Sequence, residues 1–150
     1  MDERLLRLLI ERATERRDEA ANRAATARRD RDAAAATLRT LTDYREESLG
    51  RAPVRSGAAV GVAQLSTASR FDAKLVQAIH QQYRQHADRA ADATQRDAAL
   101  IERQRRLTAL QTLETRRAKQ AAVTAARREQ RALDEFATNL AARRRPGKER

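Results

Sequence analysis

The chain has 150 residues, enough for one domain, and its net charge is +11. It has no cysteine, which excludes a disulfide framework, a thiolate nucleophile and cysteine-based metal sites. Only 3% of the residues are aromatic and much of the apolar fraction is alanine, so little bulk is available for a globular core. This composition favours long helices or coiled coils, and no run of apolar residues is long enough to span a membrane. We expect a soluble, cytoplasmic protein.

The first predicted helix covers residues 5–49, where neither glycine nor proline occurs. Steps of seven residues give an unbroken apolar column of Leu6, Ala13, Ala20, Ala27, Ala34 and Leu41. A companion column contains Ile10, Arg17, Ala24, Arg31 and Leu38. Together the columns predict a heptad seam with small residues in the middle and large ones at both ends. We expect the stems of Arg17 and Arg31 to lie along this seam with their head groups in water.

A hinge is predicted over residues 50–64, because Gly50, Pro53 and Gly57 fall close together there. Gly50 suits a position just after a helix, and Pro53 cannot continue one. Ser66 and Ser69 are candidate caps for the helix that follows.

The second predicted helix covers residues 65–142, with a seven-residue stripe of Ile79, His86, Ala93, Leu100 and Leu107. A basic tail, residues 143–150, follows it. An antiparallel helix 1 covers helix 2 only to about residue 110, because helix 1 is the shorter of the two. Leu133, Phe136 and Leu140 therefore remain uncovered, in a last third of the chain that carries 14 basic and 6 acidic residues. An uncovered apolar stripe of this kind indicates a binding partner.

The sequence carries no motif of catalysis. His80 and His86 are six residues apart, on different faces of a helix, and not at the spacing of helical metal ligands. Neither a glycine-rich phosphate loop nor a G-x-S-x-G motif occurs. We therefore expect no enzyme activity, no catalytic residues, no metal, no cofactor and no small-molecule substrate. The basic last third favours an acidic partner, and a nucleic-acid-binding coiled coil is the alternative, although no aromatic platform or nucleic-acid-binding motif supports it.

Four segments together resemble the family of the flagellar export protein FliJ. They are Leu38–Glu47, Phe71–Ile79, Leu110–Ala118 and Arg128–Ala137, with a hinge between the first two and a basic carboxyl terminus. The sequence Asp134-Glu135-Phe136-Ala137 and the aromatic residues on both sides of the hinge make the set more specific than any one segment.

The resemblance implies a non-enzymatic stalk component of the flagellar type III protein export apparatus. It implies one coiled-coil domain over residues 1–150, an antiparallel hairpin of two long helices similar to the stalk (γ) subunit of rotary ATPases. The implied partners are the hexameric export ATPase (FliI), the cytoplasmic domain of the export gate (FlhA) and, as a further class, export chaperones. The implied location is peripheral to the inner membrane at the flagellar base, and we expect a monomeric rod in isolation.

The resemblance also implies two sets of binding residues. The export-gate set matches Leu41, Tyr44, Phe71, Leu75 and Ala78. For the export ATPase, the resemblance and the uncovered stripe together indicate Arg128, Arg131, Leu133, Phe136 and Leu140. Seam packing is the alternative role of Leu41 and Leu75. The stalk of a virulence-type injectisome, which shares the architecture, is the alternative function.

Overall fold

Two long helices make up the fold. The computed structural model describes residues 2–51 and 61–144, in which α1 is Glu3–Gly50 and α2 is Val62–Arg144. No strand occurs in these two ranges. The all-α prediction of two long helices is confirmed. Most of the predicted hinge, residues 52–60, and the tail from residue 145 lie outside the described residues.

The helix ends differ from the predicted ones by a few residues. The backbone N–H groups of Gln64 and Leu65 both donate to the carbonyl of Gly61, at 3.1 and 3.2 Å, so α2 begins before Leu65. Ser66 and Ser69 therefore lie inside α2, and their prediction as caps is wrong. The start of α2 was predicted too late because glycine usually interrupts a helix. Glycine is also accepted at the position just before a helix, which is where Gly61 lies.

Two compact units share the two helices, and each contains part of both. Unit 1 combines residues 1–13 with 105–150, and unit 2 is formed by residues 14–104. In unit 2, Arg45 of α1 contacts Asp72 of α2, and Asp30 of α1 contacts Arg89, so the helices run antiparallel there. In unit 1, the first turns of α1 lie beside α2 near residues 114–121. The packing of two antiparallel helices confirms the coiled-coil hairpin, and the single domain over residues 1–150 stays a prediction.

The seam between the helices follows the predicted heptads. Every position of both columns of α1 is buried or half-buried, as is every position of the α2 stripe. Among the described residues, the buried apolar ones are Leu6, Ala24, Ala27, Leu75, Ala93 and Leu107. Alanine at the middle of the seam lets the two backbones approach closely, while leucine fills the wider space elsewhere.

The two seam arginines agree with the prediction in part. The side chains of Arg17 and Arg31 are 34% and 38% exposed, between seam and solvent. Each forms an ion pair with the aspartate that follows it, Asp18 and Asp32, at 2.8 Å. The head group of Arg17 is not wholly in water, because its Nε atom is buried.

Truncating a buried seam leucine should lower stability much more than truncating an exposed one. Leu107 is 3% exposed and Leu133, on the same helix, is 64% exposed. Leu107→Ala should lower the free energy of unfolding by about 2–3 kcal/mol, because it removes buried methyl groups and leaves a cavity. The matched Leu133→Ala should change it by less than about 0.5 kcal/mol. Urea unfolding followed by circular dichroism measures both, and equal losses would contradict the assigned seam.

Candidate functional site: two partner-binding surfaces

An aromatic pair joins the two helices in unit 2. The rings of Tyr44 on α1 and Phe71 on α2 lie edge to face, with centroids 6.2 Å apart and planes at 77°. This geometry places the positive edge of one ring against the negative face of the other. Tyr44 is nevertheless 54% exposed and Phe71 45% exposed. Two large aromatic side chains that contact each other and still face solvent are available to a partner.

An ion pair directly beside the aromatic pair fixes the alignment of the helices. Arg45 donates from Nε to Asp72 Oδ1 at 2.9 Å and from Nη2 to Asp72 Oδ2 at 3.2 Å. This bidentate hydrogen bonding with Asp72 raises the pKa of Arg45 above its usual value. Because Tyr44 precedes Arg45 and Phe71 precedes Asp72, the ion pair brings the two rings to the same level of the seam.

The sequence analysis missed this ion pair, although the heptads contained its signal. Arg45 falls seven residues after Leu38 in the companion column, and Asp72 falls seven residues before Ile79 in the stripe of α2. Extending both columns by one step places an acid and a base in the seam. Their mutual contact depends on the register of the two helices, which the columns alone do not give.

The other residues of the predicted gate set have a packing role. Leu75 is buried at 8% exposure, and Leu41 and Ala78 are half-buried in the seam. The structure therefore brings Tyr44 and Phe71 together at the surface, with the remaining three beneath or beside them. We call these five residues the aromatic surface.

An exposed, mainly apolar stretch beside Phe71 was not predicted from the sequence. It is formed by Ala63, Gln64, Thr67, Ala68 and Phe71, all on the first three turns of α2. This stretch extends the apolar area of the aromatic surface along α2.

Further contacts across unit 2 hold the register where the seam is alanine. Gln82 Nε2 donates to the carbonyl of Ala34 at 3.2 Å. Arg28 Nη2 lies 2.6 Å from Asp97 Oδ1, and hydrogen bonding with Asp97 raises the pKa of Arg28. Each contact links α1 to α2 beside the alanine positions of α1. In the second, Asp97 Oδ1 is buried, and Arg28 compensates its charge.

The predicted ATPase set lies on the exposed part of α2 in unit 1. Every residue from 114 to 144 is exposed, including Arg128 and Arg131. Leu133 and Phe136 are 64% and 67% exposed, and Leu140 lies one turn further along the same side of the helix. We call Arg128, Arg131, Leu133, Phe136 and Leu140 the terminal surface. It consists of three apolar and two basic side chains, and the acidic residues Glu129, Asp134 and Glu135 lie among them in the sequence.

A second apolar cluster in unit 1 was also missed. Leu5, Leu8 and Leu9 on the first turns of α1 are exposed, although Leu6 among them is buried. The sequence signal was the run of apolar residues from Leu5 to Ile10, which contains more of them than the two heptad columns use.

Neither a metal site nor a membrane span is present in the described ranges. Residues 2–51 and 61–144 contain no group of three histidine or acidic side chains placed to hold a metal ion. Within the same ranges, neither helix has the combination of length and apolar character needed to cross a membrane.

The chain matches the family described as Flagellar FliJ protein over residues 2–146, nearly its whole length. It belongs to the FliJ family. Searches of curated proteins and of solved structures each found no match. Membership makes the chain a component of the flagellar export apparatus and confirms the resemblance drawn from the four segments. The FliJ family is a structural component of that apparatus and not a known enzyme family.

Within this FliJ-family chain, a charge swap at the aromatic surface tests the ion pair that aligns the helices. Arg45→Asp and Asp72→Arg should each lower the thermal midpoint, because each places two like charges opposite one another. The double variant should recover most of that loss, because the pair is restored with its charges reversed. Circular dichroism melting measures all three chains. As a control, Arg45→Asp combined with Asp88→Arg, at an exposed residue of α2, should show no recovery. A double variant no more stable than the sum of its single changes would refute the alignment role.

Proposed function

We propose that this chain is a non-enzymatic stalk component of the flagellar type III export apparatus with two partner contacts. The terminal surface binds the ring of the hexameric export ATPase (FliI), and the aromatic surface binds the cytoplasmic domain of the export gate (FlhA). The chain then acts in the cytoplasm, peripheral to the inner membrane at the flagellar base, and supports protein export and flagellum assembly. Export chaperones are a further class of partner in this proposal.

The observation that carries the ATPase contact is the exposure of α2 over residues 114–144. A helix with this length of uncovered surface, and with Leu133, Phe136 and Leu140 on one side, leaves apolar area in water unless a partner covers it. Residues 128–144 also carry four basic and three acidic side chains, so the partner must present polar groups around the apolar contact. A ring that encloses this helix as its central shaft covers the apolar side chains and places polar groups beside the charged ones.

The gate contact is supported by the position of the aromatic residues. Tyrosine and phenylalanine provide large contact areas at low cost in side-chain entropy, and such residues are often the strongest contributors to binding. The Arg45–Asp72 pair and the ring contact hold Tyr44 and Phe71 in place before a partner arrives. A preorganised surface of this kind loses little freedom on binding.

Family membership favours the flagellar system over a virulence-type injectisome. Nucleic acid binding has weaker support, because Arg116, Arg117, Arg127 and Arg128 lie on an exposed helix without an aromatic side chain interleaved among them.

Removing either ring of the aromatic pair should weaken binding to the export gate. Tyr44→Ala and Phe71→Ala should each raise the Kd for the purified cytoplasmic domain of the gate by at least about tenfold, as loss of an aromatic anchor does. Isothermal titration calorimetry measures the affinity, and circular dichroism should show unchanged helicity. Tyr83→Ala is the matched control, because Tyr83 is an exposed tyrosine of the same unit outside the aromatic surface. Equal weakening by all three changes would argue against this site.

Removing the terminal surface should abolish stimulation of the export ATPase. Deletion of residues 128–150 removes all five residues of that surface, so hydrolysis by the purified ATPase should return to its unstimulated rate. Leu133→Ser combined with Phe136→Ser should have most of the same effect while α2 stays helical. Val123→Ser is the control, since Val123 is exposed on α2 outside the terminal surface. Full stimulation by the deleted chain would place the ATPase contact elsewhere.

A further inference from the structure

The face of α2 that packs in the seam continues past the start of α1. Leu107 is buried in unit 1, and Ala118 follows it by eleven residues, or three helical turns. Further steps of four or three residues stay on this face of the helix. The residues reached in this way are Ala118, Ala122, Ala125, Glu129, Ala132 and Phe136. All six are exposed. We call them the open face, and it has the spacing of a coiled-coil seam. Ala118 lies beside the first turns of α1, and the open face continues beyond them.

We propose that the open face binds one amphipathic helix of a partner protein, flanked by acidic residues, in the position that α1 occupies in the seam. This deepens the proposed function and rests on it in one respect, since Phe136 belongs to both the open face and the terminal surface. It adds the kind of element that the partner presents, namely a helix and not a loop or an irregular surface.

The side chains of the open face favour a helix as the occupant. Alanine at four of the six positions lets another helix approach closely, as Ala24, Ala27 and Ala93 do in the seam of unit 2. Large side chains of the incoming helix then fill the space above the alanines, while Phe136 supplies bulk from this chain. A groove of about 660 Å³ already opens where α1 begins, and Ala118 forms part of its wall.

The charges along the edges of the open face specify acidic flanks. Residues one position before or after a face residue lie about 100° around the helix, at the edges of the contact. Arg117 and Lys119 flank Ala118 in this way, and Arg128 flanks Glu129. Glu135, beside Phe136, is the acidic exception. Glutamate or aspartate at the flanking positions of the partner helix therefore meets mainly opposite charges.

Two other occupants fit the open face less well. A second copy of the chain brings like charge against like, because residues 114–144 carry eight basic and four acidic side chains. An anionic membrane surface suits the arginines, but Glu129 lies in the middle of the apolar face and alanine buries little area in lipid.

The test uses the full-length chain and a labelled synthetic peptide of about four heptads, with leucine at the seam positions and glutamate at the flanks. Fluorescence anisotropy should show binding that weakens with added salt. The same peptide with lysine at the flanks should bind at least about tenfold more weakly. Failure of the glutamate peptide to bind, or equal binding of the two peptides, would overturn the inference.

A matched pair of substitutions locates the binding on the helix. Ala122→Arg places a long side chain in the open face and should weaken peptide binding at least about tenfold. Gln120→Arg adds the same charge on the opposite side of α2 and should leave binding unchanged or slightly tighter. Binding that survives Ala122→Arg overturns the site.

The two competing occupants are measured with variants of the same residue. Self-association in sedimentation equilibrium that Ala122→Arg abolishes would make a second copy the occupant and overturn the inference. For the membrane, Ala122→Glu replaces Ala122→Arg, because an added arginine strengthens attraction to anionic lipid. Binding to phosphatidylserine vesicles that Ala122→Glu abolishes would overturn the inference in favour of a membrane.

Failure of this inference can be told apart from failure of the ATPase contact. If the deletion of residues 128–150 abolishes stimulation but no glutamate peptide binds, the helix is refuted and the ATPase contact stands. If the peptide binds and the deleted chain still stimulates fully, the ATPase contact is refuted and the open face stands.

Discussion

Alanine at most seam positions of α1 from Ala20 to Ala34, facing the mostly larger seam residues of α2, is the constraint on which the other features of unit 2 depend. Alanine permits a short distance between helix backbones, but it buries little area and its uniform shape fits several registers almost equally well. Something other than shape must therefore align the helices. In unit 2 that role falls to polar contacts at the edge of the seam, of which Arg45 with Asp72 and Gln82 with Ala34 are examples.

The positions of the heptad columns also explain why bulky apolar side chains are found at the surface. Tyr44 and Phe71 fall outside these columns, so they pack on each other at the edge of the seam and remain about half exposed. In unit 1, Leu133 and Phe136 have no α1 residue available to cover them, because α1 begins at Glu3 and its first turns lie beside residues 114–121 of α2. The surfaces proposed for binding thus follow directly from how the seam is built and where it ends.

Much of this arrangement could be predicted from residue spacing alone. The absence of glycine and proline gave both helices, and the steps of seven from Leu6 gave a seam that the burial of each column position confirms. The exposed stripe at Leu133 followed from the unequal lengths of the two helices. What could not be predicted was the register, since it depends on which charged groups meet across the seam. The exposed apolar stretch beside Phe71 was missed for a related reason, because small residues on one helix do not reveal whether anything lies over them.

The continuation of the α2 seam face beyond α1 connects the fold to a function in assembly. Beyond the start of α1, α2 presents one half of a helix–helix interface. The other half has a known chemistry, because α1 supplies it in the seam of the same molecule. The leucine and alanine positions that α1 satisfies near Leu107 recur as alanine and phenylalanine positions further along α2. A partner that supplies a helix there is bound by the same close packing that holds α1, with Arg117, Lys119 and Arg128 selecting its charge. The chain then binds a second protein through the same kind of helix packing that stabilises its own fold.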